Sequence, residues 1–201
     1  AVGATGPIIN LLLVLLMGIS TGAGIMVSQY YGAHDRANLS KTVGNCLTLT
    51  VIASVIITVV GLIATYPILE MLKTPNEIIA DAHMYLIIMY YGMLGMSFYN
   101  IISGILRGLG DSVSPLLYLL VACGLNIALD LWFVIGFGWA VMGVALATII
   151  AQFVSGALCL IQLCRMRSTV DINRHTLKLT GSIVSRIGKL GLPAGLTQAV
   201  F

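Results

Sequence analysis

The sequence predicts an all-α protein, a polytopic transmembrane helix bundle with five complete spans and the start of a sixth. Two observations predict it. Of the 201 residues, 59% are hydrophobic and 8% charged, against roughly 25% charged in an ordinary soluble domain. Mean hydropathy is +1.03, and one interior of this size cannot bury so many apolar side chains. The excess therefore faces lipid. Second, the apolar residues gather in runs that reach the length of about 20 needed to cross a bilayer core as helices. No strand-like alternation breaks these runs. Lipid offers open backbone groups no partner, so only helices fit.

The spans fall at 7–31, 42–66, 82–106, 115–136 and 139–163, and a sixth opens near Ile183. In the first, Gly18, Gly22 and Gly24 with Ser20 mark close helix packing. Before the third, Thr74-Pro75-Asn76-Glu77 has the form of a capping box with proline at the first helical position. Gly108, Gly110, Asp111 and Ser112 predict a turn, after which Ser114 offers a cap and Pro115 a helix start. Gly136-Phe137-Gly138-Trp139 is a short hairpin, so the fourth and fifth spans are antiparallel neighbours. Trp132 and Trp139 flank it, as at a membrane interface.

Orientation comes from lysine and arginine. Nine of the ten lie in the first, third and fifth connections and in the opening of the sixth helix, and Lys73 alone lies in the second. The positive-inside rule makes those three connections cytoplasmic and puts residue 1 near the outer side of the cell membrane. The fifth connection, 166–182, reads as a cytoplasmic amphipathic linker. Its Ile172, Leu177 and Leu179, with Ile183 and Ile187 beyond, are expected to lie partly in the membrane surface. Retention on the inner side explains its basic residues, and no nucleic acid is called for. Residues 1–165 form one unit and 183–201 the first helix of another. Both ends of the chain fall within apolar runs and read as cuts in a longer protein.

Polar groups at depth carry the functional signal. Asp130 is the one acidic residue well inside a predicted span, where a charge costs at least about 2.5 kcal/mol. No lysine or arginine lies in 115–139. Asp130 is either a protonatable or cation-binding group facing a bundle interior, or a structural partner of a residue outside this chain. Asn126 precedes it by four residues on the same helix face. Together they offer oxygen ligands for a small hard cation, or a proton relay. Thr148, at comparable depth across the hairpin, offers a hydroxyl, although back-bonding to its own helix is the commoner fate of such a residue. Gln29, Asn45, Asn100 and Gln152 read as interhelical glue. The three histidines share no helix face, and the four cysteines read as small packing residues. With no nucleophile–base arrangement, phosphate loop or metal motif, the sequence does not read as an enzyme, and no cofactor is expected.

Several segments resemble the multidrug and toxic compound extrusion (MATE) family. Gly18-Ile-Ser-Thr-Gly-Ala-Gly-Ile-Met-Val-Ser-Gln-Tyr-Tyr-Gly-Ala33 is similar to that family's second helix. Arg107-Gly-Leu-Gly-Asp-Ser-Val-Ser-Pro115 resembles its loop between helices four and five. Asn126-Ile-Ala-Leu-Asp130, Gly136-Phe-Gly-Trp-Ala-Val-Met-Gly143 and Ala147-Thr148 resemble helices five and six, and Leu190-Gly-Leu-Pro-Ala-Gly195 the opening of helix seven. The resemblance implies helices two to six of the amino-terminal lobe of a twelve-helix exporter, with helix one and the second lobe outside this chain. It implies export of cationic or amphipathic drugs by alternating access, driven by Na⁺ or H⁺ entry. It also implies that Asn126, Asp130 and Thr148 belong to an ion-coupling site completed by an aspartate of helix one. A flippase for lipid-linked oligosaccharides would favour basic residues in the cavity, and none lies at mid-depth in the five spans. An intramembrane enzyme would need two catalytic groups at depth. A non-transporting scaffold would not need a buried aspartate backed by an asparagine.

Overall fold

The computed structural model describes the main chain of residues 2–71, 76–173 and 175–200, with the side chains of 17–70, 78–173, 175–191, 193, 194 and 197. The helices are α1 Val2–Gly32, α2 Arg36–Met71, α3 Asn76–Gly108, α4 Val113–Leu131, α5 Ala140–Arg165 and α6 Gly181–Val200. No strand occurs among the described residues. Helices α1, α2 and α3 overrun their predicted apolar runs at both ends, because the polar turns flanking a span can stay helical in the headgroup region. Asp35 shows how: its carboxylate accepts hydrogen bonds from the Asn38 main-chain N–H at 3.1 Å and side-chain amide at 2.6 Å. That cap starts α2 at Arg36, ahead of the apolar stretch. Among the described residues, Arg36–Glu70, Ile78–Gly108, Val113–Gly136 and Ala140–Arg165 are long and apolar enough to cross a membrane. Helix α1, 31 residues without a charged side chain, is about 46 Å long at 1.5 Å per residue.

Helix α3 is central, packed on α1, α2 and α5; α4 leans on α5, and α6 lies along α1. The main core joins Met26 and Val27 of α1, Val43 of α2, Ile102 and Ile105 of α3, Leu163 of α5 and Ile187 of α6. Outward, α2 presents Val51, Ile52, Val55, Ile56, Val59, Val60 and Ile63, the apolar face a lipid-contacting helix requires.

Of the two helix starts predicted from caps, one lies outside the described residues and the other differs in detail. The cap predicted at Thr74 and Pro75 lies outside the described residues, and α3 runs from Asn76. At α4 the predicted cap, Ser114, is instead a donor: its N–H bonds the Asp111 carboxylate at 3.0 Å. Helix α4 therefore starts at Val113, with Pro115 buried inside the first turn. Gln162 of α5 also donates to Asp111, at 3.2 Å. Burial would raise the Asp111 pKa, but the Ser114 and Gln162 hydrogen bonds outweigh it and hold the carboxyl below its ordinary value.

The linker is bound to the bundle. Asn45, fully buried, donates to the carbonyls of Lys41 at 2.8 Å and Lys178 at 3.1 Å and accepts the Thr180 N–H at 2.6 Å. Thr48 donates to the Leu177 carbonyl at 2.8 Å, and the Ser40 hydroxyl accepts the Asp171 N–H at 2.9 Å. Arg36 pairs with Asp171 at 2.9 Å. The apolar residues expected in the membrane surface are turned the other way. Ile172 and Leu177 pack against the core, and Ile183 and Ile187 are within it. Leu179 alone of the five stays exposed, at 46%. The cause is geometric: the linker folds as turns rather than a surface helix, so its carbonyls need donors, and α2 supplies them at Asn45 and Thr48.

Helix α6 reaches α1 through glycine. A Cβ on Gly22 would stand 2.6 Å from the Ile187 carbonyl oxygen and 2.9 Å from the Gly191 nitrogen. Gly22→Val is therefore expected to destabilise the protein by about 1–3 kcal/mol, the usual range for overpacking, seen as a lower melting temperature in detergent. Asp111 yields a pH prediction. Its folded pKa is depressed, so its contribution is complete above the ordinary aspartate value of about 3.9 and is lost as pH falls through the depressed value. The stability difference between wild type and Asp111→Asn should stay constant from about pH 7 to pH 5 and shrink below about pH 4, as followed by melting across a pH series.

Candidate functional site

The hairpin between α4 and α5 positions the polar residues at depth. After Asp130 the helix widens into a π-turn, Trp132–Gly136, of the kind that often marks functional positions. Gly138 then takes φ +70°, a left-handed value that glycine adopts without strain. The Trp139 N–H bonds the Phe133 carbonyl at 3.0 Å and α5 begins. Phe133, Phe137 and Trp139 cluster around the turn as tilted rings with centroids 5.3–6.4 Å apart. The predicted antiparallel pair is thus observed, pinned by an aromatic cluster.

Asn126 and Asp130 occupy one face of α4, one turn apart, and both are half-buried. The Asn126 Nδ2 and Asp130 Oδ1 atoms are shielded from solvent, and neither has a hydrogen-bond partner among the described residues. An unmade hydrogen bond at a buried polar atom costs about 1–3 kcal/mol, and more at a charge. The Asp130 oxygen is an acceptor that a cation, a proton or a donor group would satisfy, whereas the Asn126 amide N–H calls for an acceptor. Thr148 lies on the partner helix α5, but its hydroxyl donates to the Val144 carbonyl of its own helix at 2.9 Å. No hydrogen bond joins it to Asn126 or Asp130. The structure therefore brings two of the three predicted residues together and leaves the third turned onto its backbone.

Two further residues belong to this neighbourhood. Gln152, one turn beyond Thr148, has a buried Oε1 without a partner among the described residues, so no interhelical hydrogen bond forms at that oxygen there. Its spacing from Thr148 repeats that of Asn126 and Asp130, and this signal was legible. Tyr85 of α3 is buried against Ala145 of α5 and lies within electrostatic range of Asp130. Nothing in the sequence marks Tyr85, because its place depends on how α3 crosses the hairpin. No group of three or more His, Cys, Asp or Glu side chains able to hold a metal occurs among the described residues.

Comparison with known proteins agrees with this architecture. The MatE family model matches residues 1–132. The probable multidrug resistance protein YoeA of Bacillus subtilis is 32% identical over 98% of this chain and 44% of its own length. The probable multidrug resistance protein NorM of Thermotoga maritima is 30% identical over 100% of this chain and 44% of its own. A solved structure, the inward-facing conformation of a multidrug resistance MATE family transporter of the MOP superfamily, superposes with TM-score 0.92 at 29% identity, covering 98% of this chain and 45% of that one. The outward-facing conformation of such a transporter gives 0.90 at the same identity and coverage. The chain thus spans less than half the length of the relatives it matches. It is a multi-pass membrane helix bundle, and it belongs to the MatE family.

Proposed function

We propose that the protein is a secondary active exporter of cationic or amphipathic small molecules, coupled to Na⁺ or H⁺ entry by alternating access, with no enzymatic activity and no prosthetic group. The observation that carries this reading is the buried, unpartnered carboxylate oxygen of Asp130, in a chain whose relatives are named for multidrug resistance. The near-equal likeness to inward- and outward-facing transporters supports a lobe that moves as one body.

In this reading residues 1–165 supply helices two to six of the amino-terminal lobe. Residues 166–182 link the lobes on the cytoplasmic side, 183–201 open the second lobe, and residue 1 lies near the outer side. Asp130 is the coupling carboxylate. Asn126 adds an amide oxygen ligand, Tyr85 a nearby phenol and Thr148 a hydroxyl freed when it releases the Val144 carbonyl. Binding of a cation or proton neutralises a carboxylate that is costly at depth. That biases the balance between lobe arrangements by as much as the ion's affinity differs between them, and no more. The drug, competing for the same negative charge, drives the opposite bias. The absence of lysine and arginine at mid-depth in the five predicted spans favours a cationic cargo over a diphosphate-linked sugar.

The test is uptake of a fluorescent cationic drug by inverted vesicles carrying the full-length protein, under imposed Na⁺ or H⁺ gradients. Gradient-driven uptake should fall to background in Asp130→Asn at equal protein level, and undiminished uptake would refute the coupling role. Thr148→Val separates ligand from scaffold. Its hydroxyl serves only its own helix here, so the variant should melt within about 1 kcal/mol of wild type yet show a higher half-saturating ion concentration.

A further inference from the structure

A second built site lies at the linker end of α5, remote from Asp130. The span ends at Arg165, so the first residues of the linker sit at the level of the lipid headgroups. There a cavity of about 380 Å³ opens between the end of α5 and the linker. Its lining is apolar at Leu163, Cys164, Val170 and Ile172 and polar at Arg167, Asp171 and Asn173. The polar lining is held in place from behind. The Arg167 carbonyl accepts from the Arg36 guanidinium at 3.0 Å, and Asn173 is fixed by the Thr176 hydroxyl at 2.8 Å. Asp171 is neutralised by Arg36. That leaves the Arg167 guanidinium and the Asn173 amide without a side-chain partner among the described residues. One uncompensated positive charge and an amide donor therefore face a cavity that apolar side chains also line.

We propose that this cavity binds an anionic phospholipid, with the phosphodiester on Arg167 and Asn173 and the start of an acyl chain against Leu163, Cys164 and Ile172. A guanidinium matches phosphate oxygens in a fork. The apolar lining selects a molecule with a chain over a soluble anion, and the cancelled Asp171 charge selects a net-negative headgroup over a zwitterionic one. Bound there, the lipid ties the α5 end to the linker that joins this unit to the rest of the protein.

The experiment titrates the full-length protein in detergent with dioleoyl phosphatidylglycerol and reads bound lipid by native mass spectrometry. Arg167→Gln should weaken retention at least about tenfold, the size of one lost charge-assisted hydrogen bond. Arg165→Gln removes the same charge two residues away, outside the cavity, and should leave retention unchanged. Should Arg167→Gln fail to fold, Asn173→Ala carries the same expectation, since its side chain bonds nothing described. Equal weakening by Arg165→Gln would reduce the effect to diffuse charge and overturn the proposal. Equal retention of dioleoyl phosphatidylcholine would overturn the charge selection. Competition by glycerol phosphate at matched concentration would make the ligand a soluble anion and overturn the lipid assignment.

Discussion

In a bilayer every polar group must find its partner inside the protein, and this constraint organises the bundle. Most hydroxyls within the spans comply locally. Thr50 donates to the Cys46 carbonyl, Ser54 to Thr50, Thr65 to Gly61 and Ser155 to Gln152, each within its own helix. Others reach across: Ser20 of α1 donates to the Asn100 carbonyl of α3 at 2.6 Å, and Thr58 of α2 to Tyr90 of α3 at 2.9 Å. Against that background the exceptions stand out. Thr42 and Ser97 leave single hydroxyl oxygens unpaired, while Asn126, Asp130 and Gln152 leave an amide nitrogen, a carboxylate oxygen and an amide oxygen unpaired on the adjacent helices α4 and α5. Only the second group includes a charge.

The same constraint explains the linker. Turns have carbonyls that no helix ladder satisfies. Asn45, with no exposed surface, meets two of them and caps α6 through the Thr180 N–H. The exposed Arg36–Asp171 pair adds little by itself, because water and salt screen it. Its use is positional, since it cancels Asp171 and leaves Arg167 without a charged partner among the described residues. The connection between α5 and α6 is thus part of the packed body, not a loose tether.

Most of the fold was legible because transmembrane helices are written in runs of composition, which need no tertiary knowledge. A helix falls on each of the five predicted runs, four of them long and apolar enough among the described residues to cross a membrane, and the hairpin falls at Gly136–Trp139. Features set by contacts between distant segments were less so. Asn45 reads from sequence as generic glue, and only the fold shows that three of its partners lie more than 130 residues away. The apolar linker residues carry an amphipathic pattern, but a pattern alone does not say whether lipid or protein covers it. At the site, Asn126 and Asp130 were legible because helix periodicity sets their shared face. Thr148 was legible by depth and yet bonds its own backbone. Tyr85 was not legible at all, because the α3 crossing that brings it near Asp130 has no local signature.

Central to the proposed mechanism is competition between drug and coupling ion for one buried negative charge. The most direct measurement is the cation balance of binding: protons or Na⁺ released when a cationic drug binds the purified full-length protein at fixed pH. Competition predicts that a monovalent cation is released as the drug binds, and that the release is reduced in Asp130→Asn. Tight drug binding with no release of either cation would contradict it.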